Sequence, residues 1–133
     1  MLEERAAPML NAIEAFNETG VEAALPYLHP EIEWVAPPEW LEDRLYKGHD
    51  GIRRLSAYWT QLFDEYRVMP QRVMDAGDGR VLLLLQQEGR IIGSADRVES
   101  PLGYLVEIRD TLVARVEIFF SWEATLEAAG LSA

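Results

Sequence analysis

The sequence predicts one α+β domain in which helices lead and an antiparallel sheet follows. Three observations carry this expectation. Stretches in the first half place apolar residues at three-to-four spacing, as amphipathic helices do. Four β-prone runs then follow one another, and strands joined without helices between them pair antiparallel. The last two runs, Tyr104–Arg109 and Val113–Trp122, read as a hairpin whose charges select a register.

In that hairpin Asp110-Thr111-Leu112 is the break. A three-residue loop sets Arg109 against Val113, Glu107 against Arg115, Val106 against Val116 and Tyr104 against Ile118. Shifting by two residues would oppose Arg109 to Arg115 and Glu107 to Glu117. Like charges directly opposite are unfavourable, whereas opposite charges contribute about 0.2–1 kcal/mol, so the first register is expected. One face is then Tyr104, Val106, Ile108, Val116, Ile118 and Phe120, which needs cover. The other is Leu105, Glu107, Arg109, Arg115, Glu117 and Phe119.

Taken in order, Ala6, Met9, Ile13 and Phe16 mark a first helix to about Asn17, with Pro8 in its first turn. Gly20 ends it. Thr19-Gly20-Val21-Glu22 matches a capping box for a short second helix, which His29-Pro30 stops. Glu31–Ala36 alternates as a strand, with Ile32, Trp34 and Ala36 on one side, and Pro37-Pro38 ends it. Residues 37–47 form a loop whose Trp40, Leu41, Leu45 and Tyr46 suit folding over the interior. Asp50 is expected as N-cap of a third helix with Ile52, Leu55, Trp59, Leu62 and Tyr66 on its apolar face, and Arg53 and Arg54 on its wet side. Gln71–Ala76 reads as a strand with Pro70 at its start or on an edge. Gly77-Asp78-Gly79 is a turn, and Val81–Leu85 a strand buried on both faces. Gly89 and Gly93 bracket a turn or bulge, and Pro101 and Gly103 interrupt the next strand. Ser121 caps a last helix, Trp122–Ala129, closed by Gly130 as C′ glycine.

Composition narrows the function classes. With 133 residues, 49% of them apolar, the chain suffices for one core. It has no apolar run long enough to span a membrane, and its charged first residues, Met1-Leu2-Glu3-Glu4-Arg5, are not expected to act as a secretory signal. It has no cysteine, which removes disulfides, thiolate metal sites and a cysteine nucleophile and fits the cytoplasm. A net charge of −11 spread along the chain argues against nucleic acid or an anionic membrane as partner.

Several signatures resemble the nuclear transport factor 2-like superfamily, in its SnoaL-like branch of polyketide cyclases and ketosteroid isomerase-like proteins. They are Leu28-His29-Pro30-Glu31-Ile32-Glu33-Trp34, Gly48-His49-Asp50-Gly51-Ile52, Gly89-Arg90 through Gly93-Ser94, and Val116 to Leu131. The resemblance spans nearly the whole chain and implies a single SnoaL-like domain over residues 1–133. Its implied fold is a cone-shaped α+β barrel, a curved antiparallel sheet on three N-terminal helices with a pocket inside. It also implies a small apolar molecule as ligand, no cofactor, and a homodimer through the outer sheet face, where Leu105 to Phe119 mix apolar groups with self-complementary charge.

The enzymes of this superfamily place a tyrosine where this chain has Ile13, a general-base aspartate at Ala36, an acid at Tyr104 and, in epoxide hydrolases, an aspartate near Ile118. None of these groups is matched. Two readings stay open: a small-molecule-binding protein of unassigned substrate with isomerase, cyclase or lyase chemistry, and a non-catalytic ligand-binding or dimerisation module. Trp34, Leu55, Tyr58, Trp59, Tyr104, Ile118 and Phe120 are expected to line the cone, though plain core packing suits most of them equally. Tyr104 can donate a hydrogen bond to a ligand carbonyl or be a core tyrosine. Asp96 is the first alternative acid, with a rim salt bridge beside Arg97 or Glu88 as the simpler role. His29, Glu31 and Glu33 alternate as a ligand set would, but a solvent-facing edge explains them better, so no metal is expected. His49 beside Asp50 reads as a helix-capping pair more readily than as a base with its orienter.

Overall fold

A computed structural model describes residues 2–40 and 43–131, so Leu41 of the apolar loop lies outside the described residues. Helix α1 spans Leu2–Glu18 and buries Ala6, Met9, Ala12 and Ile13. It starts earlier than its apolar stripe suggests, so Pro8 lies inside it and not in its first turn. Glu3 and Glu4 support that early start at the positive end of the helix dipole. Helix α2 is one turn, Val21–Ala24, continued by a 3-10 turn at Leu25–Tyr27. The expected capping box does not form. Gly20, with φ 126°, takes the N-cap place, so no side chain caps the helix.

Strand β1 runs Leu28–Val35 and already includes His29-Pro30, with an irregularity in pairing between Leu28 and Glu33. Ile32, Trp34 and Ala36 are all buried, as their alternation predicts. The end of the 37–47 loop is a short strand, β2 (Leu45–Lys47), antiparallel to β1. Its Tyr46 is fully buried while Leu45 is exposed. Helix α3 follows at Gly48–Leu62. Lys47 precedes it as N-cap, and Asp50 sits in the first turn, where its carboxylate accepts from Arg53 instead of capping.

Beyond Leu62 the helical spacing misleads. Phe63 has φ −130° and opens strand β3, Phe63–Gly77, so Tyr66 belongs to a strand and not to α3. A bulge between Asp64 and Arg67, with Glu65 at φ 52°, turns Tyr66 inward. Pro70 is tolerated because β3 is an edge strand. Asp78 and Gly79, both left-handed, make the two-residue turn into β4 (Arg80–Ile91). Val81–Leu85 is buried throughout: Val81, Leu83 and Leu85 join the main core, Leu82 and Leu84 a smaller cluster on the opposite face. Gly89 lies inside β4; the turn comes after it.

Strand β5, Arg97–Arg109, is continuous through Pro101 and Gly103. β6 (Leu112–Phe119) pairs with it only from Gly103 onward, so Pro101 withholds its missing N–H on an unpaired side. The expected pairs Glu107–Arg115, Val106–Val116 and Tyr104–Ile118 form. Arg109, however, faces Leu112 and not Val113. Asp110 and Thr111, at φ 54° and 62°, make a two-residue turn, and a bulge beyond Glu107 absorbs the remaining residue. Helix α4 is Trp122–Ala128; Ser121 Oγ accepts from the Ala124 N–H, and Gly130 at φ 75° closes a Schellman motif with Leu131 N–H bonding Leu126 O.

The six strands form one curved, unclosed sheet in the order β2-β1-β6-β5-β4-β3. Its pairs are antiparallel apart from β1 and β6, which run parallel, so the sheet is mixed. Helices α1 to α3 cover the concave core face. α4 covers part of the other face, where Leu105 and Phe119 pack with Trp122 and Leu126. None of the described helices is long and apolar enough to cross a membrane.

Candidate functional site

Between the helices and the sheet lies a cavity of about 90 Å³. Its walls come from α1 (Met9, Ile13, Phe16), α3 (Leu55, Ser56, Trp59) and the inner sheet face (Trp34, Tyr66, Val68, Tyr104, Ile118). Phe16, Val21, Ser56, Trp59 and Tyr66 are half-buried and form its mouth; Trp34, Tyr104 and Ile118 are buried and form its floor. Each strand contributes alternate residues, so the inner faces of β5 and β6 bring Tyr104 and Ile118 side by side.

The polar groups on this wall are few. Trp34 and Tyr104 meet edge to face, with ring centroids 5.2 Å apart. The Trp34 Nε1 donor is buried and finds no partner among the described residues. Tyr66 is stacked on Trp59 at 5.5 Å and meets Phe16 edge-on at 6.1 Å. Its hydroxyl donates to Gln87 Oε1 at 2.5 Å, and Gln87 Nε2 donates to Ser100 Oγ at 3.1 Å. Burial pushes the Tyr104 phenol well above its ordinary range. Tyr66 is raised by burial first and by the neighbouring Tyr104 second. Both hydroxyls therefore stay protonated and neutral. No carboxylate, histidine, lysine or arginine is among the lining residues.

Of the expected residues, Trp34, Leu55, Trp59, Tyr104 and Ile118 line this cavity. Tyr58 and Phe120 do not. They pack instead against Trp40, at 6.2 and 6.4 Å, on the far side of Trp59. Trp40 also lies 5.2 Å from Trp59 and donates from Nε1 to the Tyr46 hydroxyl at 2.9 Å, so the apolar loop does fold over the interior. Asp96 does not enter the cone. It is exposed in the turn between β4 and β5, because β5 begins only at Arg97. Glu88 lies 4.0 Å from Arg97 in a rim ion pair. His29 Nδ1 accepts from the Glu31 N–H, and His49 Nε2 bonds to the Leu28 carbonyl. Among the described residues no three His, Asp or Glu side chains come together as a ligand set.

Ile13, Tyr104 and Ile118 meet in this one cavity, although they lie far apart in the chain. Ala36 is buried outside its lining. Phe16, Tyr66 and the Gln87–Ser100 pair behind Tyr66 are additions to the expected site. Tyr66 was hidden by its helix-like spacing. Gln87 carries no local signal, being the middle one of three polar residues, Gln86-Gln87-Glu88, that follow the apolar run.

The SnoaL-like domain model matches residues 10–116, most of the chain. The chain belongs to the SnoaL-like family. No curated protein sequence matches it. Among solved structures, this SnoaL-like chain is similar to TerC, co-crystallised with polyporic acid, at 22% identity and a TM-score of 0.77, covering 96% of this chain and 98% of that one. It is similar to a protein of ketosteroid isomerase-like fold from Catenulispora acidiphila, in complex with trimethylamine, at 18% identity and TM-score 0.73, over 93% and 92% of the two chains. A SnoaL-like polyketide cyclase homologue from Jannaschia sp. aligns at 16% identity and TM-score 0.71, over 98% and 94%. At these identities the likeness establishes the fold of the SnoaL-like chain.

Proposed function

We propose that this SnoaL-like protein binds a small, uncharged, largely apolar molecule in the cavity between α1, α3 and the sheet. The observation that carries this is the composition of the wall: apolar on nearly every side, with two neutral phenols and no ionic group. Ligand sites are typically apolar with a few convergent polar groups. Two structural neighbours hold small molecules, polyporic acid and trimethylamine, which supports a small-molecule site on this fold; the uncharged, apolar character of the ligand rests on the wall alone. Isomerase, cyclase or lyase chemistry at this site would have to run on the hydroxyls of Tyr66, Tyr104 and Ser56, because general acid–base catalysis needs a titratable group within hydrogen-bond reach and the wall offers no carboxylate. Binding without catalysis is therefore the better-supported reading.

Titration with toluene, followed by tryptophan fluorescence, tests it. The expected result is saturable binding, because Trp34 and Trp59 both line the site. Ala12→Leu adds volume at the cavity wall on a helix that favours leucine, and is expected to abolish binding while the near-UV circular dichroism is kept. Toluene binding that never saturates in the wild type, or that survives Ala12→Leu, would refute the proposal.

A homodimer belongs to the same proposal. α4 covers Leu105 and Phe119, so the uncovered part of the outer face is charged, with Glu107 and Arg109 on β5 beside a ladder of Glu33, Arg115 and Glu117, in which Arg115 lies 3.0 Å from Glu33 and 3.6 Å from Glu117. A two-fold interface pairs the same patch with itself, and a patch carrying both signs of charge can then form unlike pairs between the copies. Light scattering at micromolar concentration is expected to give twice the chain mass; a monomer sinks the dimer and leaves the binding proposal standing.

A further inference from the structure

The cavity has a hydrogen-bonding polarity that is set from behind its wall. A phenol carries one proton and lone pairs that accept. The proton of Tyr66 is committed to Gln87 Oε1 at 2.5 Å. Gln87 is itself pinned at its other end, where Nε2 donates to Ser100 Oγ at 3.1 Å. The pairing of β4 with β5 places Gln87 directly opposite Ser100, so this arrangement is built into the sheet register. The Tyr66 ring cannot swing away, being stacked on Trp59 and edged by Phe16. What the Tyr66 oxygen can still offer the cavity is therefore a lone pair.

We infer that the cavity selects a ligand bearing a neutral donor, a hydroxyl or an N–H, that the Tyr66 oxygen reads this donor, and that Gln87 is the positioning residue that fixes this preference. The inference rests on the binding proposal above and names the ligand class for the same site. A ligand with acceptors alone, such as a ketone, would set lone pair against lone pair at Tyr66. It would lose a bond that an alcohol makes, because a polar group left unpaired in a buried site costs more than a neutral bond gains. The Tyr104 and Ser56 hydroxyls and the unpartnered Trp34 Nε1 serve either ligand, because an alcohol oxygen accepts as a ketone oxygen does, so the discrimination falls to Tyr66.

The test uses three probes of similar size on the intact protein: toluene, cyclohexanol and cyclohexanone. Cyclohexanol is expected to bind about 3–10-fold more tightly than cyclohexanone, the ratio that one neutral hydrogen bond supports. Gln87→Leu frees the Tyr66 proton to point inward and is expected to erase or invert that ratio. Tyr66→Phe is expected to erase it too. Gln87→Glu, which still accepts from Tyr66, is expected to keep it and serves if the leucine variant does not fold. Cyclohexanone binding as tightly as cyclohexanol to the wild type overturns the inference. So does a preference that survives Tyr66→Phe or disappears in Gln87→Glu. If toluene itself does not bind, the cavity proposal falls and this inference falls with it; if toluene binds and the alcohol preference is missing, only the polarity is wrong.

Discussion

The side chain of Thr125 on α4 occupies the space in which a side chain on Gly103 of β5 would begin. A Cβ at Gly103 would overlap the Thr125 hydroxyl and crowd its Cβ and Cγ2. Thr125 is fully buried, and its hydroxyl donates to the Ser121 carbonyl at 2.7 Å, so it cannot turn aside. Gly103→Ala is thus an overpacking mutation against a held group, expected to cost about 1–3 kcal/mol. Urea unfolding measures the loss. Because Trp122 Nε1 donates to the Leu85 carbonyl at 2.8 Å, tryptophan emission should also shift red as α4 lifts. An unchanged midpoint and emission would mean that the helix docks with slack.

Asn17 stands in for a missing strand. Its amide bonds both backbone groups of Val68 on the edge strand β3, accepting from the N–H at 2.9 Å and donating to the C=O at 2.6 Å. Val68 is buried, so losing both bonds leaves polar backbone without a partner. Asn17→Leu is expected to destabilise by about 1–3 kcal/mol and to raise hydrogen exchange at the Val68 amide. Exchange at Val68 as slow as in the wild type would refute the pairing.

High pH should weaken the fold through its tyrosines. Burial raises the pKa of Tyr46, Tyr66 and Tyr104, three of the five tyrosines. An unfolded tyrosine ionises near ~10. Below that both states are protonated and the contribution is complete. Above it the unfolded chain sheds protons that the folded chain keeps, so stability falls as pH rises toward the folded values. Absorbance at 295 nm should show fewer than five tyrosines ionising before the fold melts. Five ionising together near pH 10 in folded protein would contradict the burial.

Trp34→Phe removes the orphaned Nε1 donor and leaves an aromatic ring beside Tyr104. Truncating a large buried aromatic to alanine costs about 3–5 kcal/mol. Here the relief of an unpaired donor, about 1–3 kcal/mol, offsets the smaller loss of volume. Thermal unfolding should therefore move by less than about 1 kcal/mol equivalent. A loss as large as that of Trp34→Ala would mean that Nε1 has a partner in solution.

The hairpin pairs from Glu107–Arg115 to Tyr104–Ile118, the doubly buried Val81–Leu85 and the capped last helix could be read from the sequence, because local chemistry decides them: charge pairs, apolar runs and a serine–glycine bracket; the two-residue turn and its bulge, which move Arg109 onto Leu112, could not. The site was half legible. Trp34, Tyr104 and Ile118 follow strand parity and land on the cavity floor. Tyr66 did not follow, since its spacing from Leu62 is helical and the chain changes structure at Phe63, where pairing with Ile91 overrides local periodicity. Tyr58 and Phe120 were misplaced for a related reason. Periodicity gives the buried side of an element but not which of two neighbouring clusters a ring joins.

The parallel pairing of β1 with β6 has a kinetic consequence. Trp34 aligns with Val116, 82 positions later in the chain, the same interval that separates Glu33 from the Arg115 that bonds it. On a ribosome, β1 leaves the exit tunnel long before its partner is made. Closing so long a loop precedes any reward from the contacts it permits, which slows folding. Helices α1 to α3, with β1 and β2, can therefore pack on one another early but gain the sheet face that completes their core only once β5 and β6 are made.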